Sequence, residues 1–270
     1  MSSAAPYGRI SMNMPEIVSA QDWLEARKDF LTREKALTRA RDELAAARRE
    51  LPMTPVGKEY VFEGPEGTAT LLDLFDGRAQ LIVHHMMWAY DIDDDGNEVS
   101  RDTGCPSCSA HADNIGDLVH LRQRNTSFVA VSRAPQSKIG PFHARMGWRF
   151  PWYSSHGSDF NHDFHVTLDE RVQPVLLNYR TVEELAEHGV EWSPARRGDY
   201  PGMSAFLRDG DRVFHTYSTF ARGLEQVGGT HYLLDMTALG RQEPWEKPAG
   251  RATAFGGQAG SPGIRFHDEY

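Results

Sequence analysis

The chain has 270 residues, 40% of them hydrophobic, and a formal charge of −9, enough for one large domain, or one domain with an extension, to bury a core without disulfide support. The acidic balance excludes a nucleic-acid surface, which needs concentrated Lys and Arg. No apolar run reaches the roughly 18 residues of a membrane span, and Met1 to Pro15 lacks a signal-peptide core, so the expectation is a soluble, cytoplasmic protein that binds neither nucleic acid nor membrane.

After fifteen aperiodic residues, Ser19 followed by Asp22 marks a helix start, and the helical pattern runs to Leu51-Pro52. Trp23, Phe30, Leu37, Leu44 and Leu51 recur every seven residues. At 1.5 Å per residue, about 32 residues extend roughly 48 Å. From Ser19 to Glu50 eight basic residues face seven acidic ones, which describes a solvated face. Two readings of the repeat stay open: a homodimer through residues 19–51, or a helix packed on its own domain.

Tyr60-Val61-Phe62 reads as a strand, Gly64 to Gly67 as a turn, and Thr70 to Phe75 as a helical turn or ordered loop. Leu81 to Trp88 is an apolar run of buried-strand type, continued by a polar, acidic hairpin or loop over Ala89 to Thr103. Cys105 to Asn125 is predicted as one helix, with Pro106 in its first turn. Thr126 to Ser132 follows as a buried strand and Pro135 to Met146 as a helix closed by Gly147. Strand, helix, strand, helix is a βαβα unit with parallel strands. Further on come a strand at Phe150 to Ser154 and a hairpin of Phe164 to Leu168 with Val172 to Tyr179. Thr181 and Glu184 form the capping box of a short helix stopped by Gly189, and Asp209-Gly210 joins a second hairpin. From Gly240 the chain is rich in Gly, Ala, Pro and Arg and reads as a partly ordered tail.

The chemistry concentrates in Cys105-Pro106-Ser107-Cys108, which holds both cysteines of the chain. Thiols at i and i+3 on a first helical turn have Cβ atoms roughly 5 to 6 Å apart, within reach of the Cα spacing of about 4.4 to 6.8 Å that a disulfide needs. Cys105 is the candidate exposed nucleophile and Cys108 the buried resolving thiol. A helix dipole contributes only about 0.3 to 1 kcal/mol and Asp102 opposes a thiolate, so the expected pKa of Cys105 is only modestly lowered.

A strand leading to an active-site loop, Cys-x-x-Cys at the next helix start, a second parallel strand and a later antiparallel hairpin together resemble the thioredoxin fold. Leu51-Pro52, Met86-Met87, Cys105 to Ser109, Ser132 to Pro135, Arg145 to Trp148, Phe150 to Ser155, Asp159-Phe160-Asn161 and His215 to Ser218 resemble the signature segments of a bacterial thioredoxin-like family catalogued as a domain of unknown function. The resemblance implies an α/β mixed sheet flanked by helices after a long N-terminal amphipathic helix. The divisions are an arm and helix at 1–52, a thioredoxin-like domain at 53–240 and the tail at 241–270. It implies a thiol-disulfide oxidoreductase that needs no cofactor or metal and acts on a protein or small-molecule disulfide, the alternative being a thioredoxin-fold binding module assembled through its helix. The implied site holds Cys105 and Cys108, with Trp88, Gly104, Pro106, Ser107, Pro201 and Gly202 around them.

The chain departs from thioredoxins in places. Gly104 stands where they carry Trp, and Trp88 is separated from Cys105 by the acidic insertion. Gly202 or Pro201 occupies the place of their cis-proline. Asp102 replaces the Thr that peroxiredoxins carry three residues before their reactive Cys, which weakens a peroxidase reading. A rival zinc site would combine the cysteines with His111 and with His162 and His165. Asp91, Asp93, Asp95, Gly96 and Asp102 partly match a calcium loop, and the acidic hairpin turn is the preferred reading of 91–102. His84 and His85, adjacent on a strand, should face opposite sides.

Overall fold

A computed structural model describes residues 15–92, 98–227 and 265–269. The chain divides into two compact units, one of Met1–Pro52 with Thr230–Gln258 and one of Met53–Gly229 with Ala259–Tyr270. In the first, helix α1 spans Ala20–Arg49, capped by Ser19, whose hydroxyl accepts from the Asp22 N–H; none of the helix residues is buried. No helix among the described residues is long and apolar enough to cross a membrane.

The second unit begins with strands β1 (Thr54–Pro55), β2 (Val61–Gly64) and β3 (Gly67–Thr70), then β4 (Gln80–His85), β5 (Trp88–Ile92) and β6 (Glu98–Gly104). Helices α2 (Pro106–Ala112) and α3 (Val119–Arg122) precede β7 (Thr126–Ser132), α4 (Gln136–Met146), β8 (Trp152–Ser154), α5 (Phe160–Asp163) and β9 (Thr167–Leu168). Last come α6 (Val182–Glu187), β10 (Gly198–Asp199), β11 (Gly202–Asp209) and β12 (Arg212–Phe220). Eight strands form one sheet in the order β1-β12-β11-β4-β7-β8-β2-β3. β4, β7 and β8 run parallel, and β11 is antiparallel to both β4 and β12. Strand β4, the cysteine helix α2, parallel β7 and the β11–β12 hairpin make this a thioredoxin-like mixed sheet flanked by helices.

Alternation along β4 sends Leu81 and Val83 to one core and Ile82, with Met86 just past the strand's end, to the other. The first core is aromatic-rich, built on Phe62, Phe75, Phe160 and Phe206. The second lies under α2 and α4 and contains Cys108, Phe128, Phe142, Phe150 and Trp152. The capping box of Thr181 and Glu184 is complete, and Gly147 closes α4 at φ 65°, where a residue without Cβ avoids strain.

Three expectations are corrected. The apolar run from Leu81 does not continue to Trp88: the strand stops at His85, and Trp88 opens a separate hairpin. The single helix over Cys105 to Asn125 is two short ones. Asn114 bonds back to the Ala110 carbonyl, the Ile115 N–H closes a tight turn on Ala112, and Asp117 starts α3 by accepting the Val119 N–H. These side-chain bonds compete with the helical ladder. Phe164 to Leu168 and Val172 to Tyr179 do not pair, because Thr167–Leu168 pairs with Gly198–Asp199 while Leu177 and Arg180 close a turn of their own. Residues 93–97 of the calcium-like loop and most of the C-terminal tail lie outside the described residues. Within them Asp91 pairs with Arg101 and Asp102 with Lys138.

Candidate active site

The two cysteines stand at the N-terminus of α2, where Cys105 is the N-cap and Pro106 the first helical residue. Pro suits that place because its missing N–H has no intrahelical partner there. The Cys105 N–H donates to the Met87 carbonyl at 3.1 Å, and the Met87 N–H points back to the Cys108 sulfur. Met87, in the link between β4 and β5, thus clamps both ends of the motif. Ser109 secures the turn, its N–H and its hydroxyl both donating to the Cys105 carbonyl.

Both thiols are free; Cys105 is partly exposed and Cys108 buried. The Cys105 thiol is pulled down to about 6, first by the Cys108 S–H donating to it, then by the Cys108 and Ser107 N–H groups and the Ser107 hydroxyl; burial opposes them. Cys108 moves the other way, because its S–H is held by Cys105 and it is desolvated, with the charges of Cys105 and Asp199 adding to the rise. The shift at Cys105 is larger than the sequence suggests, since these local donors outweigh the dipole alone. Asp102 does not oppose it: its side chain is 83% exposed and bonded to Lys138.

Gly104 and Trp88 explain each other. In the hairpin register Trp88 lies directly across from Gly104, so the insertion returns the indole to the residue before Cys105. A Cβ at Gly104 would stand 3.1 Å from the Phe142 ring and 3.7 Å from the rings of Trp88 and Trp152. The space that a Trp before Cys105 would need is filled by Trp88, itself 4% exposed and bonded through its N–H to the Arg101 carbonyl. Gly202 opens β11 opposite His85, and a Cβ there would meet Val166 at 2.8 Å and Phe220 at 3.0 Å. Pro201 immediately precedes that strand, level with Met86 by continuation of the register.

Sequence reasoning missed a buried charged group that acts on Cys108. Asp199, its side chain only 4% exposed, accepts from Arg133 Nε at 2.9 Å and from the Thr167 hydroxyl at 2.7 Å. Arg133 also donates to Glu98 at 2.7 Å and lies over the Tyr90 ring at 4.8 Å. Among the described residues Asp199 Oδ2 and the Tyr90 hydroxyl are buried without a hydrogen-bond partner. The one sequence signal was Arg133, which lies in the signature segment Ser132 to Pro135.

The histidines of the zinc reading are not gathered around the cysteines. His111 packs on His84, ring centres 5.0 Å apart, while His165 lines a cavity with Phe164 and His215 on the sheet face away from Cys108. No three His, Cys, Asp or Glu side chains among the described residues are placed to hold a metal ion. His84 and His85 do take opposite faces, and both are buried.

Residues 12–270 match the model of DUF899, described as a bacterial protein of unknown function. The chain belongs to this family. No curated protein sequence matches it. Among solved structures, a Xylella fastidiosa PrxQ mutant is similar at 14% identity, covering 62% of this chain and 84% of its own with a TM-score of 0.37. The peroxidoxin BcpB of Mycobacterium tuberculosis is similar at 15% identity, covering 64% and 86%, TM-score 0.36. A protein titled a putative protein disulfide isomerase, from Bacteroides thetaiotaomicron, is similar at 12% identity, covering 66% and 89%, TM-score 0.36. At these scores the functional reading rests on this chain's own residues.

Proposed function

We propose that Cys105 and Cys108 form a dithiol centre that reduces or isomerises disulfides. The observation that carries this is the partly exposed Cys105 thiol at about 6, held by the S–H of a buried Cys108. At pH 7 such a thiol is mostly thiolate, which is the nucleophilic form. The Cys105 thiolate attacks one sulfur of a substrate disulfide; that S–S bond breaks, a mixed disulfide forms and one substrate thiolate leaves. Cys108 then attacks Cys105, its proton passes to the departing second substrate thiolate, and the enzyme is left as the Cys105–Cys108 disulfide. Two electrons have moved from the dithiol to the substrate. Trp88 and Gly104 form a buried floor behind Cys105, Pro201 is the proposed edge of the approach, and the substrate is a protein or small-molecule disulfide.

Insulin reduction with dithiol recycling tests the reading. Wild type should precipitate insulin B chain and Cys105→Ser should fall to the uncatalysed rate; equal rates would remove the enzyme reading. A second reading, self-association through residues 19–51, is favoured by the exposure of Trp23, Phe30, Leu37 and Leu44, each at least half exposed, at seven-residue spacing. Sedimentation of wild type against a Phe30→Glu, Leu37→Glu double variant tests it: a dimer that becomes a monomer supports it, and an unchanged monomer overturns it.

A further inference from the structure

The signature segment His215 to Ser218 and the loop around His165 take no part in the thiol chemistry. They meet on the other face of the sheet, around a cavity of about 340 Å³, a size typical of sites for small ligands. Its polar lining includes Lys58, Tyr60, Asp163, His165, His215 and Ser218, and Tyr179 forms part of its wall.

Local irregularity builds this lining. Residues three apart on a regular strand face opposite sides, but β12 is bulged: Tyr217 pairs with Ala205 and His215 with Phe206, which leaves Thr216 as an extra residue. His215 and Ser218 therefore share a face, with Nε2 and Oγ 2.7 Å apart. Ser218 continues through Ser204 at 2.7 Å to His85 Nε2 at 2.8 Å, which ties the cavity wall to a fully buried imidazole.

Two wall residues sit where the backbone favours glycine. His165 has φ 54° just past the end of α5, where the Val166 N–H reaches back to the Asn161 carbonyl. Tyr179 has φ 66° as the second central residue of the turn closed by Leu177 and Arg180, after Asn178 at φ 50°, a turn that favours Asn-Gly. Both positions keep a bulky ring despite the strain, and both rings line the same cavity. The Tyr179 hydroxyl donates to the Ser218 carbonyl at 2.9 Å.

The charges of the lining are already matched. Lys58 donates to Asp159 at 2.6 Å and Asp163 at 2.8 Å, and the Tyr60 hydroxyl donates to Asp163 at 2.7 Å. Burial lowers the imidazole pKa of both His165 and His215 and so disfavours their charged forms. An anion would meet two carboxylates around one ammonium, and a cation would compete with Lys58 for Asp163.

We propose that this cavity binds a small uncharged molecule with a flat apolar body and a hydroxyl or carbonyl oxygen, the body lying between Phe164, Tyr179 and Phe220 and the oxygen at Ser218 and His165. The test uses p-cresol as the probe, with 4-methylbenzoate and 4-methylbenzylamine as charged counterparts, read from the imidazole resonances of the full-length protein. Saturable shifts at His165 and His215 with none at exposed His120, and at least about tenfold weaker binding of the charged probes, are expected. His165→Gly should keep or raise the thermal midpoint while weakening p-cresol about tenfold. Ser218→Ala provides the same readout should His165→Gly fail to fold. Cys105→Ser should bind p-cresol like wild type, so the result is independent of the thiol reading. Absence of a saturable shift, equal binding of either charged probe, or unchanged binding in the folded His165 or Ser218 variant overturns the proposal.

Discussion

A buried carboxylate whose charge reaches the Cys108 thiol sets up a competition that a substitution can resolve. Asp199 raises the Cys108 thiol by its charge, so Asp199→Asn should lower that pKa, measured as faster alkylation of Cys108 at pH 8 in a Cys105→Ser background. His84 and His85 carry a different pH signature. Burial holds His84 well below the ordinary imidazole value and His85 at about 3, so the unfolded chain takes up protons that the folded one refuses. Their contribution is present above about pH 6.5 and is lost as pH falls toward the folded values, at about 1.4 kcal/mol per pH unit for each group. Urea midpoints at pH 7 and pH 5 should show this slope, and His84→Leu should flatten it. Cys105 and Cys108 were legible in the sequence because their chemistry is local. Asp199, Arg133, Tyr90 and Glu98 were not, since they come from four separated segments and meet only through tertiary pairing. Trp88 fell between these cases: its residue type drew attention, but only the hairpin register seats it across from Gly104.

Secondary structure was legible where one local signal dominated. The cap at Ser19, the Thr181–Glu184 box, the Asp209-Gly210 turn and the apolar run of β7 needed no distant partner. Errors fell where side chains compete with the backbone, as at Asn114 and Asp117, or where a strand's partner is remote, as β10 is for β9. The glycines at strand ends were noticed without their reason, which is steric. Gly202→Ala should force Val166 and Phe220 apart and cost about 1–3 kcal/mol, visible as a lower thermal midpoint and, with β11 displaced from β4, a slower reaction at Cys105. Gly104→Ala, with its nearest neighbour at 3.1 Å, should cost less.

At the scale of the whole molecule, the residues next to the C-terminus are part of the thioredoxin-like unit. Phe266 is buried against Phe142, ring centres 5.2 Å apart, Arg145 forks onto Asp268 and Glu269, and His267 shares Asp113 with Trp148. Ending the chain at Ile264, one residue before Arg265, should remove about 1.5–3 kcal/mol of apolar burial, measured as a lower urea midpoint. The seating of Trp88 has a practical side as well. An indole set across from the residue that precedes Cys105, beside Trp152 at 5.8 Å, belongs to the same core cluster as both cysteines, and a sulfur–sulfur bond close to an indole quenches its emission. On the proposed dithiol reading this indole is a built-in optical indicator, so titrating intrinsic fluorescence against glutathione should trace the poise of the thiol pair without any added dye.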